Sequence, residues 1–151
     1  MKILAISTSS SNASVALLED DKCIKELNIC DEKTHSEKLM PLIDELFKSV
    51  NSTIDEIDLI ACDVGPGSFT GIRIGVATVK GLALAKKIKV IGCSSLEALA
   101  YNMQNADNIC SIIDARNNQV YSAIPNSFLY SSRKYSASAR SAGVILRKRK
   151  T

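Results

Sequence analysis

A glycine-rich run near the middle of the chain has the residue types and spacing of an anion-binding corner. It reads Asp63-Val-Gly-Pro-Gly-Ser-Phe-Thr-Gly-Ile-Arg-Ile-Gly75, between an apolar segment (57–64) that predicts a strand and a segment (71–87) that predicts a helix. N–H groups at a helix start lack intrahelical acceptors, and the helix dipole adds positive charge there. The run can therefore hold an anion, cap its own helix or pack closely against another chain. The candidate anion or nucleotide loop consists of Gly65, Gly67, Ser68, Thr70 and Gly71.

Known catalytic motifs do not fit this run. A Walker A loop beginning at Gly65 would need a second glycine where Thr70 stands, followed directly by Lys-Ser or Lys-Thr, and neither is present there. A dinucleotide-binding fingerprint fails in its spacing, and the residues around Ser68 are not the G-x-S-x-G elbow of hydrolases. His35 is the single histidine of the chain, without a second histidine to complete a metal site. The sequence predicts no catalytic residue and no metal site.

The composition is that of one compact domain, or of one domain plus a fragment. The chain has 151 residues, 46% of them hydrophobic and 23% charged. It has neither a secretory leader pattern nor an apolar stretch of roughly 20 residues that could span a membrane. The five cysteines are odd in number, contain no C-x-x-C pair and predict buried, reduced thiols. We expect a cytoplasmic protein with no membrane partner.

Hydrophobic periodicity predicts an α/β fold. Three antiparallel strands come first, followed by helices that alternate with strands. A capping box from Thr34 to Glu37 begins the first helix, which continues to Val50 with a wide apolar face. The predicted order is βββαβαβα and then ββ, with strands at 2–7, 13–19, 22–30, 57–64, 90–93, 109–114 and 119–123 and helices at 36–50, 71–87 and 96–103. This order predicts a mixed sheet covered by helices.

A weak internal repeat suggests two lobes of unequal completeness. Strand pairs near 3–16 and 111–123 resemble each other, so we predict a first lobe over 1–106 and the beginning of an incomplete second lobe over 107–123. Residues 124–151 contain seven basic residues and no acidic one, whereas residues 1–123 contain 12 basic and 16 acidic residues. This Ser/Ala/Arg/Lys-rich tail is either a nucleic-acid-binding segment or a disordered or out-of-frame end.

Two of the predicted helices have more apolar surface than one sheet face requires. The helix over 71–87 combines small residues with a second apolar face, and the helix over 36–50 has a wide apolar face. Either both helices cover the sheet within the monomer, or they also receive the helices of a partner. Composition leaves these two alternatives open.

Five segments, in order along the chain, resemble the bacterial TsaB (YeaZ) proteins. They are Ile3-Leu-Ala-Ile-Ser-Thr-Ser, Thr34-His-Ser-Glu-Lys-Leu39, Val64-Gly-Pro-Gly-Ser-Phe-Thr-Gly-Ile-Arg-Ile-Gly75, Ser95-Leu-Glu-Ala-Leu-Ala100 and Ile113-Asp-Ala-Arg-Asn-Asn-Gln-Val-Tyr121. The resemblance covers residues 1–123. It implies an actin-like, Hsp70-like two-lobed fold and a role in making threonylcarbamoyladenosine beside the anticodon of tRNA.

The resemblance further implies a noncatalytic scaffold whose first two helices bind a TsaD-type transferase subunit. A TsaE-type ATPase joins that assembly, tRNA is reached through the complex, and a homodimer is an alternative pairing. The implied partner-binding residues are Leu39, Met40, Ile43, Ile72, Val76 and Val79. The protein would have no cofactor of its own, with ATP or ADP at the complex interface.

The rival interpretation is an actin-like ATPase or a glycoprotease-like hydrolase, which would turn over nucleotide or peptide. Ser7 stands where relatives commonly have Asp, which removes a carboxylate that could hold Mg²⁺ near a phosphate. The single histidine argues in the same direction. We therefore expect the chain not to be an enzyme.

Overall fold

The structure is a computed structural model that describes residues 1–30, 35–102, 109–124 and 143–146, with the backbone alone at His35 and at 143–146. It divides into two compact units, Met1–Cys93 and Ser94–Thr151. The sequence placed the lobe boundary later, at residue 106. The division comes earlier because the helix after Cys93 packs on strands of the second unit.

A five-stranded mixed sheet forms the centre of the first unit. Its strands are β1 (Lys2–Ser7), β2 (Asn12–Glu19), β3 (Lys22–Cys30), β4 (Leu59–Asp63) and β5 (Lys89–Cys93). The strand order is β3-β2-β1-β4-β5. The pairs β1–β2 and β2–β3 are antiparallel, whereas β1–β4 and β4–β5 are parallel. The predicted mixed α/β sheet of an actin-like lobe is confirmed.

Two helices cover one face of this sheet. They are α1 (His35–Ser49) and α2 (Phe69–Lys86), and a short 3-10 helix (Ile54–Glu56) precedes β4. Because side chains alternate along a strand, Leu4 and Ile6 point to the same face as Val15 and Leu17 of β2. Alternate residues of β4 continue that face, and both helices bury apolar side chains against it. The outer surfaces of α1 and α2 therefore lie on the same side of the lobe.

The sheet edges explain why the prediction of buried cysteines was wrong for three of the five. Cys23, Cys30 and Cys93 are exposed, while Cys62 is buried and Cys110 is half-buried. The first two lie on β3 and the third on β5, which are the two edge strands of the sheet. Cys62 lies on the interior strand β4 with its thiol in the core, and burial raises the pKa of that thiol.

The described part of the second unit contains a three-stranded antiparallel sheet and one helix. It contains α3 (Ser95–Tyr101), β6 (Ile109–Arg116), β7 (Gln119–Ala123) and β8 (Gly143–Leu146), in the strand order β7-β6-β8. The predicted turn between β6 and β7 is present, with positive φ at Arg116, Asn117 and Asn118. The sequence does not predict β8, because its short apolar run lies in a segment dominated by Ser, Arg and Lys.

Some predictions fall on residues that the structure does not describe. The capping box at Thr34 and the character of most of the 124–151 tail lie outside the described residues. Within the described part of the chain, no helix combines the length and the apolarity needed to cross a bilayer.

Candidate functional site

The glycine run forms the corner between β4 and α2. Gly65 has a φ of 92°, a left-handed conformation that favours glycine over residues with a Cβ. Ser68 is the N-cap of α2, and its Oγ accepts a hydrogen bond from the Gly71 N–H at 3.3 Å. The Ser68 N–H donates to the carbonyl of Ser9 at 2.6 Å. The corner thus caps its own helix and is tied to the β1–β2 turn.

Three glycines of the run let α2 approach that turn closely. A Cβ at Gly67 would overlap the Ser9 carbonyl oxygen, and a Cβ at Gly71 would overlap the Thr8 carbonyl oxygen. A Cβ at Gly75 would overlap the hydroxyl of Thr8, which donates to the Gly71 carbonyl at 2.7 Å. Packing within the lobe therefore accounts for these glycines.

A single carboxylate connects the strand ends at this corner. Asp63, the last residue of β4, accepts hydrogen bonds from the hydroxyls of Ser7 at 2.8 Å and Ser9 at 2.5 Å. Its other oxygen accepts from the Gly65 N–H at 2.9 Å. Ser7, singled out because it replaces a carboxylate, is therefore a donor to a neighbouring carboxylate. This arrangement fixes the β1 and β4 ends relative to the glycine run.

Hydrogen bonds within the lobe already occupy several backbone groups of the candidate anion loop. The N–H groups of Gly65, Ser68 and Gly71 already have acceptors in the lobe, and the Asp63 carboxylate contributes negative charge beside them. Thr70 is exposed at the start of α2. Nucleotide or anion binding by this loop stays a prediction, and the contacts supply a structural reason for its glycines.

Ligand clusters of the type that bind metals were sought among the described side chains. In that part of the chain, His, Cys, Asp and Glu form no group of three that could hold a metal ion. The backbone of His35 begins α1.

The six predicted partner-binding residues divide into a buried and an accessible set. Leu39, Ile43 and Val79 are buried in the core of the lobe itself. Their apolar character serves the sheet, and the prediction that they face a partner is corrected accordingly.

The accessible set consists of Met40, Ile72 and Val76. Met40 is 49% exposed, whereas Ile72 and Val76 are half-buried, Val76 against the core. These three side chains remain candidates for contact with another protein.

Sequence reasoning missed the most exposed apolar side chains of α2. Phe69 is 68% and Leu84 85% exposed, and the Arg73 guanidinium lies 3.7 Å from the centre of the Phe69 ring. Gly71, Gly75 and Val79 are the buried residues of α2 and are four residues apart. This spacing could have identified the outer face of the helix, since it lies on the opposite side.

Comparison with known proteins places these features in a family context. The family model for tRNA N6-adenosine threonylcarbamoyltransferase (TsaD) matches residues 30–138. The chain is 40% identical over 125 residues to the tRNA threonylcarbamoyladenosine biosynthesis protein TsaB of Bacillus subtilis, covering 82% of this chain and 55% of that protein. It is 36% identical over 124 residues to the protein of the same name from Haemophilus influenzae, covering 80% of this chain and 52% of that protein. The chain thus spans about half the length of these curated relatives.

Solved structures agree with the sequence comparison. YeaZ from Pseudomonas aeruginosa superimposes with a TM-score of 0.74 at 31% identity, covering 99% of this chain and 70% of that one. A second structure from the same organism, described as similar to the peptidase YEAZ, gives a TM-score of 0.75 at 31% identity and covers 68% of that chain.

Proposed function

We propose that the chain is a noncatalytic scaffold that binds a TsaD-type transferase subunit. The proposal rests on its family, because the chain belongs to the TsaB (YeaZ) family of tRNA threonylcarbamoyladenosine biosynthesis proteins. The outer surfaces of α1 and α2 form the binding region. The transferase performs the transfer to tRNA, and this chain reaches tRNA through the complex.

The observation that carries this proposal is apolar surface on the outside of both helices. Met40 on α1 and Phe69 and Leu84 on α2 are the large apolar residues most exposed on these helices. Buried residues of the same helices already fill the core, so these three side chains contribute nothing to it. The three side chains lie on the side of the lobe that the two helices cover, where another protein could bury them in a shared interface.

Further members of the assembly belong to the same proposal. A TsaE-type ATPase joins the complex, ATP or ADP occupies its interface rather than a cofactor site of this chain, and a homodimer through the same helices is the alternative pairing. The proposed setting is the cytoplasm, where tRNA modification occurs. Each of these rests on the family relation.

Binding affinity for the transferase subunit tests the proposal. We expect Met40→Asp to weaken the complex by about tenfold or more, because a charge buried without a partner is costly. Ile24→Asp on the edge strand β3 is the matched control, since Ile24 has a similar exposed fraction of 46% and belongs to neither helix. Isothermal titration calorimetry with the purified transferase subunit measures both, and circular dichroism verifies folding.

Equal affinities for the Met40→Asp and Ile24→Asp variants would contradict the binding region. Nucleotide or peptide turnover by the purified chain alone, abolished by Asp63→Asn, would instead favour the enzyme interpretation.

A further inference from the structure

The outer face of α2 carries positive charge without negative charge. The face is formed by Phe69, Arg73, Ala77, Lys80 and Leu84, all exposed, and their spacing of three or four residues aligns them along one side of the helix. We call this set the α2 stripe. The helix from Phe69 to Lys86 contains no Asp or Glu.

Within the described residues of the lobe, no carboxylate neutralises either cation of the α2 stripe. Among the residues that the structure describes, Arg73 and Lys80 have no carboxylate within ion-pair distance, whereas Lys86 at the end of the same helix pairs with Asp55 at 2.6 Å. The Arg73 guanidinium instead lies over the Phe69 ring. The stripe therefore presents two cations that are available for carboxylates from another molecule.

A glycine beside the α2 stripe has no explanation inside the lobe. A Cβ added at Gly81 would meet nothing within 4 Å, unlike a Cβ at the three glycines that face the β1–β2 turn. A glycine inside a helix is less favourable than alanine, because it loses more conformational freedom on folding. Gly81 and Ala77 are one helical turn apart and carry little or no side chain, so the backbone of another helix can approach closely there.

The apolar parts of the stripe favour a protein over a nucleic acid as its occupant. Leu84 is 85% exposed, and neither it nor Ala77 offers a group that could contact phosphate. Two cations are also few, because nucleic-acid affinity commonly depends on six to ten phosphate contacts. An apolar centre with charged groups beside it is instead usual in protein interfaces.

We infer that the α2 stripe receives an acidic helix of the transferase subunit, with its Asp or Glu side chains opposite Arg73 and Lys80. The two cations are seven residues apart, or about 10 Å along the helix axis. The partner carboxylates are therefore spaced about two helical turns apart, and the partner backbone lies over Ala77 and Gly81. This inference rests on the proposed function and specifies the chemistry of its partner.

The experiment measures the dissociation constant of the full chain and the transferase subunit over a range of NaCl concentrations. For the natural sequence we expect affinity to fall as salt rises, since salt screens the exposed charge pairs. Arg73→Glu combined with Lys80→Glu should weaken binding about tenfold or more at low salt, because like charges then face each other. Arg73→Gln combined with Lys80→Gln should reduce the salt dependence.

A control variant distinguishes local from general charge effects. Lys22→Glu combined with Lys25→Glu makes the same change in net charge on the edge strand β3, where both lysines are exposed, and should leave affinity within about twofold of the natural value. Replacing the facing carboxylates of the partner with lysines should restore binding to the Arg73→Glu, Lys80→Glu variant.

Three results would overturn the inference in distinguishable ways. If Met40→Asp weakens binding while added salt and the Arg73→Glu, Lys80→Glu variant leave the affinity unchanged, the partner surface is not an acidic helix, and the proposed function stands. If the charge-reversed stripe loses affinity only for tRNA, the occupant is a nucleic acid. If the natural chain does not bind the transferase subunit at all, both proposals fail.

Discussion

Gly71 and Gly81 lie in the same helix but have opposite surroundings. The missing side chain of Gly71 makes room for the Thr8 carbonyl, whereas Gly81 faces open space. One glycine is therefore required by the lobe, and the other only lowers its stability. This contrast separates the structural role of the glycine run from any role in binding.

Replacing each of these glycines with alanine gives a matched pair of variants. Gly71→Ala should lower the free energy of unfolding by about 1–3 kcal/mol, because the new methyl group forces α2 away from the β1–β2 turn. Gly81→Ala should raise it by about 0.5–1 kcal/mol, since alanine restricts the unfolded chain and fits the helix. Urea denaturation followed by circular dichroism measures both, and equal effects would refute the packing explanation.

Glu56 gives the lobe a dependence on acidic pH. A hydrogen bond from the Lys2 ammonium at 2.5 Å, and then one from the Ser52 hydroxyl, hold the pKa of the Glu56 carboxyl below its usual 4.5. A depressed pKa stabilises the folded state above the unfolded value, and this contribution disappears as pH falls through the folded pKa.

We therefore expect the melting temperature of Glu56→Gln to fall less than that of the natural sequence as pH drops from about 6 to 3. Glu45→Gln, on the exposed side of α1, is the control and should follow the natural sequence. Parallel pH profiles for all three proteins would show that the Lys2–Glu56 pair contributes nothing.

The starts of α2 and α3 offer a comparison between two helices. Ser68 caps α2 through its side chain, whereas Ser94, in the same position before α3, makes no such hydrogen bond. We expect Ser68→Ala to lower the free energy of unfolding by about 1 kcal/mol, the usual value of a side-chain cap. Ser94→Ala should change it by less than about 0.5 kcal/mol. A larger effect at Ser94 than at Ser68 would contradict the capping geometry.

Most elements were predictable because their signals are local. Alternation along β1 to β3 and the apolar repeat of α1 depend only on neighbouring residues, and those elements begin and end within about two residues of their predicted limits. The orientation of the helices was harder to predict. Leu39, Ile43 and Val79 are as apolar as Ile72, so their type does not reveal which of them face the sheet, and tertiary packing decides it.

The glycine corner combines a local feature that the sequence predicts with a tertiary contact that it does not. Its glycines, Ser68 and following helix indicated a capped strand–helix turn, which the structure confirms. The sequence could not predict that the glycines face Thr8 and Ser9, because those residues lie more than 50 positions earlier in the chain. Short β8 was missed for a similar reason, since its pairing with β6 joins residues far apart in sequence.

At the scale of the whole molecule, α1 and α2 of the first lobe each have an inner surface that packs on the sheet and an outer surface that is exposed. The sheet, α1 and α2 share one core, and the glycine run ties α2 to the β1–β2 turn. The outer surfaces of the two helices contribute Met40, Phe69 and Leu84, which this core does not need. Family membership gives that surface its proposed occupant, the TsaD-type transferase subunit.

Hydroxyl-radical footprinting of the chain with and without the transferase subunit tests this account most directly, because it reports the solvent exposure of individual side chains. We predict that Met40, Phe69 and Leu84 become protected in the complex, while Met1, which is 60% exposed just before β1 and belongs to neither helix, keeps its reactivity. If a complex forms and the three helix side chains remain as reactive as in the free chain, the outer surfaces of α1 and α2 are not the binding region.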